Sequence, residues 1–275
     1  MHGAVAEGRW VSEPTSAYFP VQIIGAGPGD PELITLRGQR LLSEADVVFY
    51  AGSLVPEGLL CHCRPGVEAI DTRSLTLETL LPQMIARVQA GKRVVRLQDG
   101  DPALYGALQE LLLGLGEAGI PFEIVPGVSA FQLAAARLQV ELTIPERVQT
   151  IILTRARGRT QVPEAEALAS LAAHHASLCL YLSARHVEQA QADLLLHYPA
   201  NTPVAVCHRL GWPEEQIWLG SLAEMAALTR QARLERTVLY LISPALQGSG
   251  SARSRLYSPD HAHLFRPKTR PETYL

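Results

Sequence analysis

The sequence predicts an α/β protein with two sheets, an N-terminal mostly parallel sheet and a C-terminal mixed sheet, with helices on the faces. Three observations carry that prediction. Short apolar runs alternate with helix-spaced segments through most of the chain, the pattern of strand–helix–strand units. Runs such as Val47-Val48-Phe49-Tyr50 are apolar without alternation, as expected of strands covered on both faces. The apolar stretches at 203–207 and 216–219 lie close enough in sequence for a hairpin-like antiparallel pair, so the second sheet is expected to be mixed.

Residues 21–25 read as the first strand, ending in Gly25. Asp30 followed by Pro31 gives an N-cap and a proline at the first helical position, so a helix is expected to about Ser43. Residues 46–50 read as the next strand. The clearest helix starts near Thr76, where Leu77, Leu80, Leu81, Met84, Ile85 and Val88 recur at helical spacing and Gly91 supplies the stop. A strand at 93–97, a helix over 103–118, a strand at 122–125 and a helix at 129–138 follow. Beyond Arg147, strands are expected at 149–154, 177–183, 203–207, 216–219 and 237–242, with helices near 163–174, 185–197 and 221–232. After Pro244 the chain turns to a Gly-Ser linker and then a basic tail with Tyr257 and Phe265. The expected organisation is an extension at 1–19, α/β domains at 20–146 and 147–246, and a linker and tail at 247–275.

Composition excludes several classes of function. Hydrophobic residues make up 47% and charged residues 19% of the 275, and mean hydropathy is +0.08, which argues against disorder and coiled coil. A formal net charge of -3 offers no global basic field for nucleic acid. No apolar run approaches the roughly 18 residues that span a bilayer, and residues 1–19 lack the apolar centre of a secretory signal. Four cysteines are too few for a disulfide scaffold. A cytoplasmic protein with no nucleic-acid and no membrane partner is expected.

The loop Gly25-Ala26-Gly27-Pro28-Gly29-Asp30 invites a dinucleotide reading but departs from G-x-G-x-x-G, because Asp30 stands where the third glycine is required. A phosphate cradled there would also meet a carboxylate. Two more loops follow expected strands, Gln98-Asp99-Gly100-Asp101-Pro102 and Pro126-Gly127-Val128-Ser129-Ala130. Each alone reads as a helix-starting turn with Asp101 or Ser129 as the cap. Three in this order, at strand ends where open α/β sheets bind ligands, are hard to ascribe to turn chemistry.

Together these motifs resemble the tetrapyrrole methylases, the class III S-adenosylmethionine-dependent methyltransferases, over nearly all of residues 20–246. Within that family, Tyr50-Ala51-Gly52-Ser53-Leu54-Val55, Thr154-Arg155-Ala156-Arg157-Gly158-Arg159-Thr160, Gly211-Trp212-Pro213-Glu214-Glu215 and Ser254-Arg255-Leu256-Tyr257 look like the subgroup that methylates C11 of precorrin-4 or cobalt-precorrin-4. The resemblance implies two α/β domains, a homodimer, and methyl transfer from S-adenosylmethionine to a corrin precursor in cobalamin biosynthesis. Carried onto matching positions, it implies cofactor contacts at Pro28, Asp99, Gly100, Asp101, Leu104, Ser129 and Ala130. Strand alignment adds Leu182 and Leu210. One departure concerns related uroporphyrinogen methyltransferases, which carry an acid directly after the second strand and a lysine at the end of the next. This chain reads Ala51-Gly52 and Asp71-Thr72-Arg73 there, which argues against a uroporphyrinogen substrate.

A sulfonium methyl is already activated, so such chemistry asks mainly for alignment, and no residue is singled out as a general base. Asp101 is expected to accept hydrogen bonds from the cofactor's ribose or ammonium. Arg155, Arg157 and Arg159 have no acid nearby in sequence and suit the carboxylates of a corrin precursor, which arginine binds bidentately; the bland alternative is a solvated loop. Cys61-His62-Cys63 lacks zinc-site spacing, so no protein-bound metal is expected, and cobalt would arrive inside the substrate. Three rival functions stay open at this point. A same-fold methyltransferase could act on another corrin position or a protein side chain, and product analysis would reveal it. A non-catalytic S-adenosylmethionine or tetrapyrrole binder would bind without turnover. A nicotinamide oxidoreductase would bind NAD.

Overall fold

Five runs of residues form a parallel sheet in the first part of the chain. The computed structural model describes residues 5–6, 9–10, 17–158, 161–248 and 262. A two-residue pairing of β1 (Val5–Ala6) with β2 (Arg9–Trp10) comes first. The strands β3 (Val21–Gly25), β4 (Val47–Tyr50), β5 (Glu68–Asp71), β6 (Val94–Gln98) and β7 (Phe122–Val125) stand in the order β5-β4-β6-β3-β7. Every pairing in that sheet is parallel, and its three inner strands β4, β6 and β3 are predominantly apolar, as strands covered on both faces are. One face packs Ile23, Phe49 and Val94 against Leu80, Met84 and Val88 of α2 (Leu77–Gln89) and Leu111 and Leu115 of α3 (Leu108–Glu117). The other packs Ile24, Val48 and Leu97 against Leu42 of α1 (Leu36–Glu44) and Leu59 of a short 3-10 helix, Glu57–His62.

A second sheet holds β8 (Ile151–Arg155), β9 (Ser177–Tyr181), β10 (Pro203–His208), β11 (Gln216–Ser221) and β12 (Val238–Ile242) in the order β11-β10-β12-β9-β8. It is mixed: β8 runs parallel to β9, and β12 antiparallel to it. The pair β10 and β11 are neighbours. The core of this sheet buries Leu178, Leu180, Val204, Val206, Tyr240 and Ile242 with Val187 and Leu194 of α6 (Val187–Leu195), Leu168 of α5 (Leu168–Ala172) and Met225 of α7 (Met225–Gln231). The chain divides into two compact units, one of the chain up to Ala134 with Cys207–Gln216, the other of Ala135–Val206 and the chain from Ile217 on.

Several expected elements are corrected. The helix expected from Asp30 to Ser43 is two pieces: Asp30 Oδ1 accepts from Glu32 N (3.0 Å) and caps only a 3-10 turn, Pro31–Leu33. Ile34 is extended, and Thr35 Oγ1 then caps α1 by accepting from Gly38 N (3.1 Å). The helix expected over 103–118 starts at Leu108, because Tyr105 and Ala107 take positive φ while Gln98 Nε2 holds Gly106 O at 2.9 Å. The helix expected at 163–174 is a 3-10 turn, Glu164–Glu166, followed by α5. The strand expected at 177–183 stops at Tyr181, since Leu182 turns to a φ of 52°.

Two tyrosines tie the second core to pH. Tyr198 donates to Ala176 O (2.7 Å), and the Tyr240 hydroxyl meets Thr229 Oγ1 (3.1 Å). Burial pushes both hydroxyls up to about 12. A raised folded pKa means stability is whole below the ordinary tyrosine pKa of about 10 and is lost as pH rises toward about 12. Each tyrosine then accounts for about 2–3 kcal/mol by that linkage. Urea titrations at rising alkaline pH should show a shallower loss of stability in Tyr198→Phe and Tyr240→Phe than in the wild type. An identical slope would remove these hydroxyls as the cause.

Candidate active site

Parallel pairing puts the carboxyl ends of β3, β6 and β7 side by side, the edge at which open α/β sheets bind ligands. The loops that leave those ends are fastened to one another by backbone. Ala26 N donates to Gln98 O (2.7 Å), and Gly27 and Gly100 exchange bonds at 3.2 and 2.8 Å. The loops approach so closely that only glycine fits. A Cβ on Gly127 would lie 2.2 Å from Gly100 O, and one on Gly25 would lie 2.5 Å from Gly127 N. Asp101 completes the fastening, with Oδ2 accepting from Gly127 N (2.9 Å) and Oδ1 from Ala103 N (2.8 Å). The bland alternative for Asp101, a helix cap, is thus corrected: it caps a turn and staples the β6 loop to the β7 loop.

A fourth segment joins these three. Gly211 has a φ of 79°, and a Cβ there would lie 2.6 Å from Asp30 N. Trp212 packs on Gly29, where a Cβ would meet Trp212 Cδ1 at 2.5 Å and Leu210 O at 2.8 Å. Arg209 stacks on the Trp212 ring at 5.2 Å and pairs with Glu214 at 3.3 Å. The Trp212 indole nitrogen is buried without a hydrogen-bond partner among the described residues.

Of the expected cofactor residues, Pro28, Asp99, Gly100, Asp101, Leu104, Ser129, Ala130 and Leu210 all fall on these four segments of the first unit. Ser129 and Leu210 are buried, Pro28 and Leu104 half-buried, and Asp99 exposed. Although Asp99 as a whole is exposed, its carboxyl is desolvated, which pushes it up against its own backbone N–H and the pull of Arg96. Burial brings the Arg96 guanidinium down to about 10. Arg96 donates through Nη1 to Thr72 Oγ1 (2.9 Å), while its Nε is buried without a partner among the described residues. Leu182 belongs to the second unit and is 69% exposed.

In the arginine loop, Arg155 ends β8 and donates to Gln161 O (3.0 Å), Arg157 is exposed, and Arg159 lies outside the described residues. His62, in the Cys61-His62-Cys63 run, is engaged at both ring nitrogens, by Gln39 Nε2 (3.2 Å) and Pro31 O (3.0 Å). The positions that sequence reasoning did not assign are Gly25, Gly127 and Trp212. A glycine at or within two residues of a strand end, at β3 and again at β7, was the available signal; nothing local marks Trp212 as a neighbour of Gly29.

The sequence profile described as Tetrapyrrole (Corrin/Porphyrin) Methylases matches residues 20–226. This chain belongs to that family. The methylase is 45% identical, over 90% of its length and 98% of the relative's, to the precorrin-4 C(11)-methyltransferase of Pseudomonas aeruginosa. Its fold matches a solved cobalt precorrin-4 methyltransferase described as a cobalamin biosynthetic enzyme, with a TM-score of 0.80 and 42% identity, covering 82% of this chain and 95% of that one. It also matches the uroporphyrin-III C-methyl transferase of Thermus thermophilus complexed with S-adenosyl homocysteine, with a TM-score of 0.69 and 28% identity, covering 83% and 99%.

The residues of the methylase's glycine loops suit S-adenosylmethionine chemically. Asp99 and Asp101 offer carboxylate oxygens to ribose hydroxyls or an ammonium, Ala130 opens α4 (Ala130–Leu138), and Pro28, Leu104 and Leu210 offer apolar walls.

Proposed function

We propose that this methylase transfers a methyl group from S-adenosylmethionine to C11 of precorrin-4, or of cobalt-precorrin-4, giving the corresponding precorrin-5. The observation that carries this reading is identity of 45% across 98% of a precorrin-4 C(11)-methyltransferase. The protein is an S-adenosylmethionine-dependent methyltransferase, and bound S-adenosylmethionine supplies an activated methyl group on its sulfonium. The chain's own work is positioning. Gly25, Gly100 and Gly127 let three loops close to backbone contact, and Asp101 fixes their spacing. Pro28, Asp99, Gly100, Asp101, Leu104, Ser129, Ala130 and Leu210 make the cofactor contacts; Leu182 is added on the resemblance alone. Alignment of methyl donor and ring carbon then replaces the entropy of a bimolecular encounter. No general base and no protein-bound metal is assigned. The protein works in the cytoplasm as a homodimer, the commonest closed assembly, and a monomer mass in light scattering would contradict the dimer.

Mass spectrometry of the products from precorrin-4 and from cobalt-precorrin-4, each with S-adenosylmethionine, tests the reading. One added methyl at C11 is expected in at least one of the two; no methylated product from either overturns it. Arg155, Arg157 and Arg159 bind the ring's carboxylates. Replacing all three by Gln should raise the substrate KM and flatten its salt dependence, since exposed charges are screened over about 8–10 Å at moderate ionic strength. S-adenosylmethionine affinity should stay near the wild-type value. An unchanged KM with an unchanged salt slope would return the loop to ordinary solvated surface, with a melting curve to establish that the variant is folded.

A further inference from the structure

A second charged feature stands on the same carboxyl edge of the parallel sheet, at the ends of β4 and β5. Asp71 closes β5, and its Oδ1 accepts from Gly52 N and from Arg73 N, both at 3.0 Å. Its Oδ2 takes Arg73 Nε in an ion pair. Burial would raise the Asp71 carboxyl, but these backbone donors and Arg73 outweigh it and hold it low. The aspartate is therefore ionised, and it grips Arg73 at two points.

That grip leaves the far edge of the guanidinium open. Arg73 Nη1 and Nη2 have no hydrogen-bond partner among the described residues, and the side chain is 52% exposed. Gly52 makes room for it: a Cβ there would lie 2.5 Å from Arg73 Nη2 and 2.7 Å from Asp71 Oδ2. Stability does not account for such an arrangement, because a half-exposed ion pair contributes little. A half-exposed guanidinium tethered through Nε, with neither Nη hydrogen-bonded among the described residues, is instead a preformed fork for a carboxylate. In strand order, β4 alone separates β5 from β6, so at about 4.8 Å per strand the β5 loop lies roughly 10 Å along the edge from the Asp99–Asp101 loop.

We propose that Arg73 binds a peripheral carboxylate of the tetrapyrrole substrate, with Asp71 as its positioning residue and Gly52 as the gap that admits it. This rests on the reading of the protein as a tetrapyrrole methyltransferase and adds an anchor on the first unit. A carboxylate held by the fork fixes the ring's orientation about the sheet edge, so Arg73 bears on which ring carbon is presented as well as on affinity.

The test uses Arg73→Gln and Arg73→Lys in the full chain. In methyl transfer to precorrin-4, Arg73→Gln should raise KM about tenfold or more, the scale of a lost charge-assisted hydrogen bond. Its kcat should change little, and its affinity for S-adenosylhomocysteine by calorimetry should not change. Arg73→Lys keeps the charge without the fork and should fall between. A KM for Arg73→Gln within about twofold of wild type, on the same scale, overturns the proposal. Fluorescence titration with uroporphyrin III, an octacarboxylic tetrapyrrole, separates this failure from that of the assigned reaction, because it needs no turnover. Weaker binding by Arg73→Gln supports the anchor even if precorrin-4 is not methylated, and equal binding overturns it even if precorrin-4 is. If Arg73→Gln melts early, Arg73→Lys and Gly52→Ala, which crowds Nη2 with Arg73 retained, decide by the same two readouts.

Discussion

Gly127→Ala is expected to abolish measurable S-adenosylmethionine binding and to lower the melting temperature. The new Cβ would lie 2.2 Å from Gly100 O and 2.8 Å from Gly25 Cα, and both obstacles are backbone, which no rotamer change can move aside. Relief must come from separating the β7 loop from the β3 and β6 loops. Overpacking of this kind costs about 1–3 kcal/mol and occasionally more. It also breaks the Asp101–Gly127 bond, which adds about 1 kcal/mol or more. A separation of the loops displaces Ser129 and Ala130 from Gly100 and Asp101, so affinity should fall further than stability. Gly116→Ala is the control. It sits in α3 with nothing beyond its own helix backbone within 4 Å of its would-be Cβ, and should be neutral or more stable by up to about 1 kcal/mol. Calorimetry with S-adenosylhomocysteine on both variants measures this. Near-wild-type affinity in a folded Gly127→Ala protein would show that the cofactor does not depend on the closed loops.

Asp101→Ala should weaken cofactor binding and destabilise the fold together. Its two carboxylate oxygens accept from Gly127 N and Ala103 N, and a half-buried donor left without a partner costs about 1–3 kcal/mol. Asp99→Asn separates the two roles. The Asp99 carboxyl staples no loop to another among the described residues, so its loss should reduce affinity with little change in melting temperature. Parallel calorimetry and melting curves read both variants. Wild-type affinity in Asp101→Ala would remove that residue from the cofactor site and leave it a staple.

Much of this arrangement is legible before any coordinates. Apolar runs without alternation announce strands covered on both faces, and β3, β4, β6 and β7 appear close to where the pattern puts them. β5 does not announce itself from pattern alone. It is an edge strand with the residues Glu68-Ala69-Ile70-Asp71 and no fully buried position, so no apolar run marks it. Asp30-Pro31 correctly signals a helical start, but the signal is local and cannot tell a single 3-10 turn from a long helix. The break at Ile34 and the second cap at Thr35 decide that.

By itself, the sequence determined every strand of the two sheets except β5, the loops that leave the ends of β3, β6 and β7 and the methylase character of those loops, because burial and turn chemistry are written in neighbouring residues. Only the tertiary structure decided what those loops do to one another. Gly127 meets both Gly25 and Gly100, each more than twenty residues earlier in the chain. Asp101 reaches past its own turn to Gly127, Trp212 lies on Gly29, and Asp71 grips Arg73 in a space that Gly52 vacates. Contacts of this kind depend on strand order and on the distance of closest backbone approach, and neither quantity is a property of any local stretch of chain.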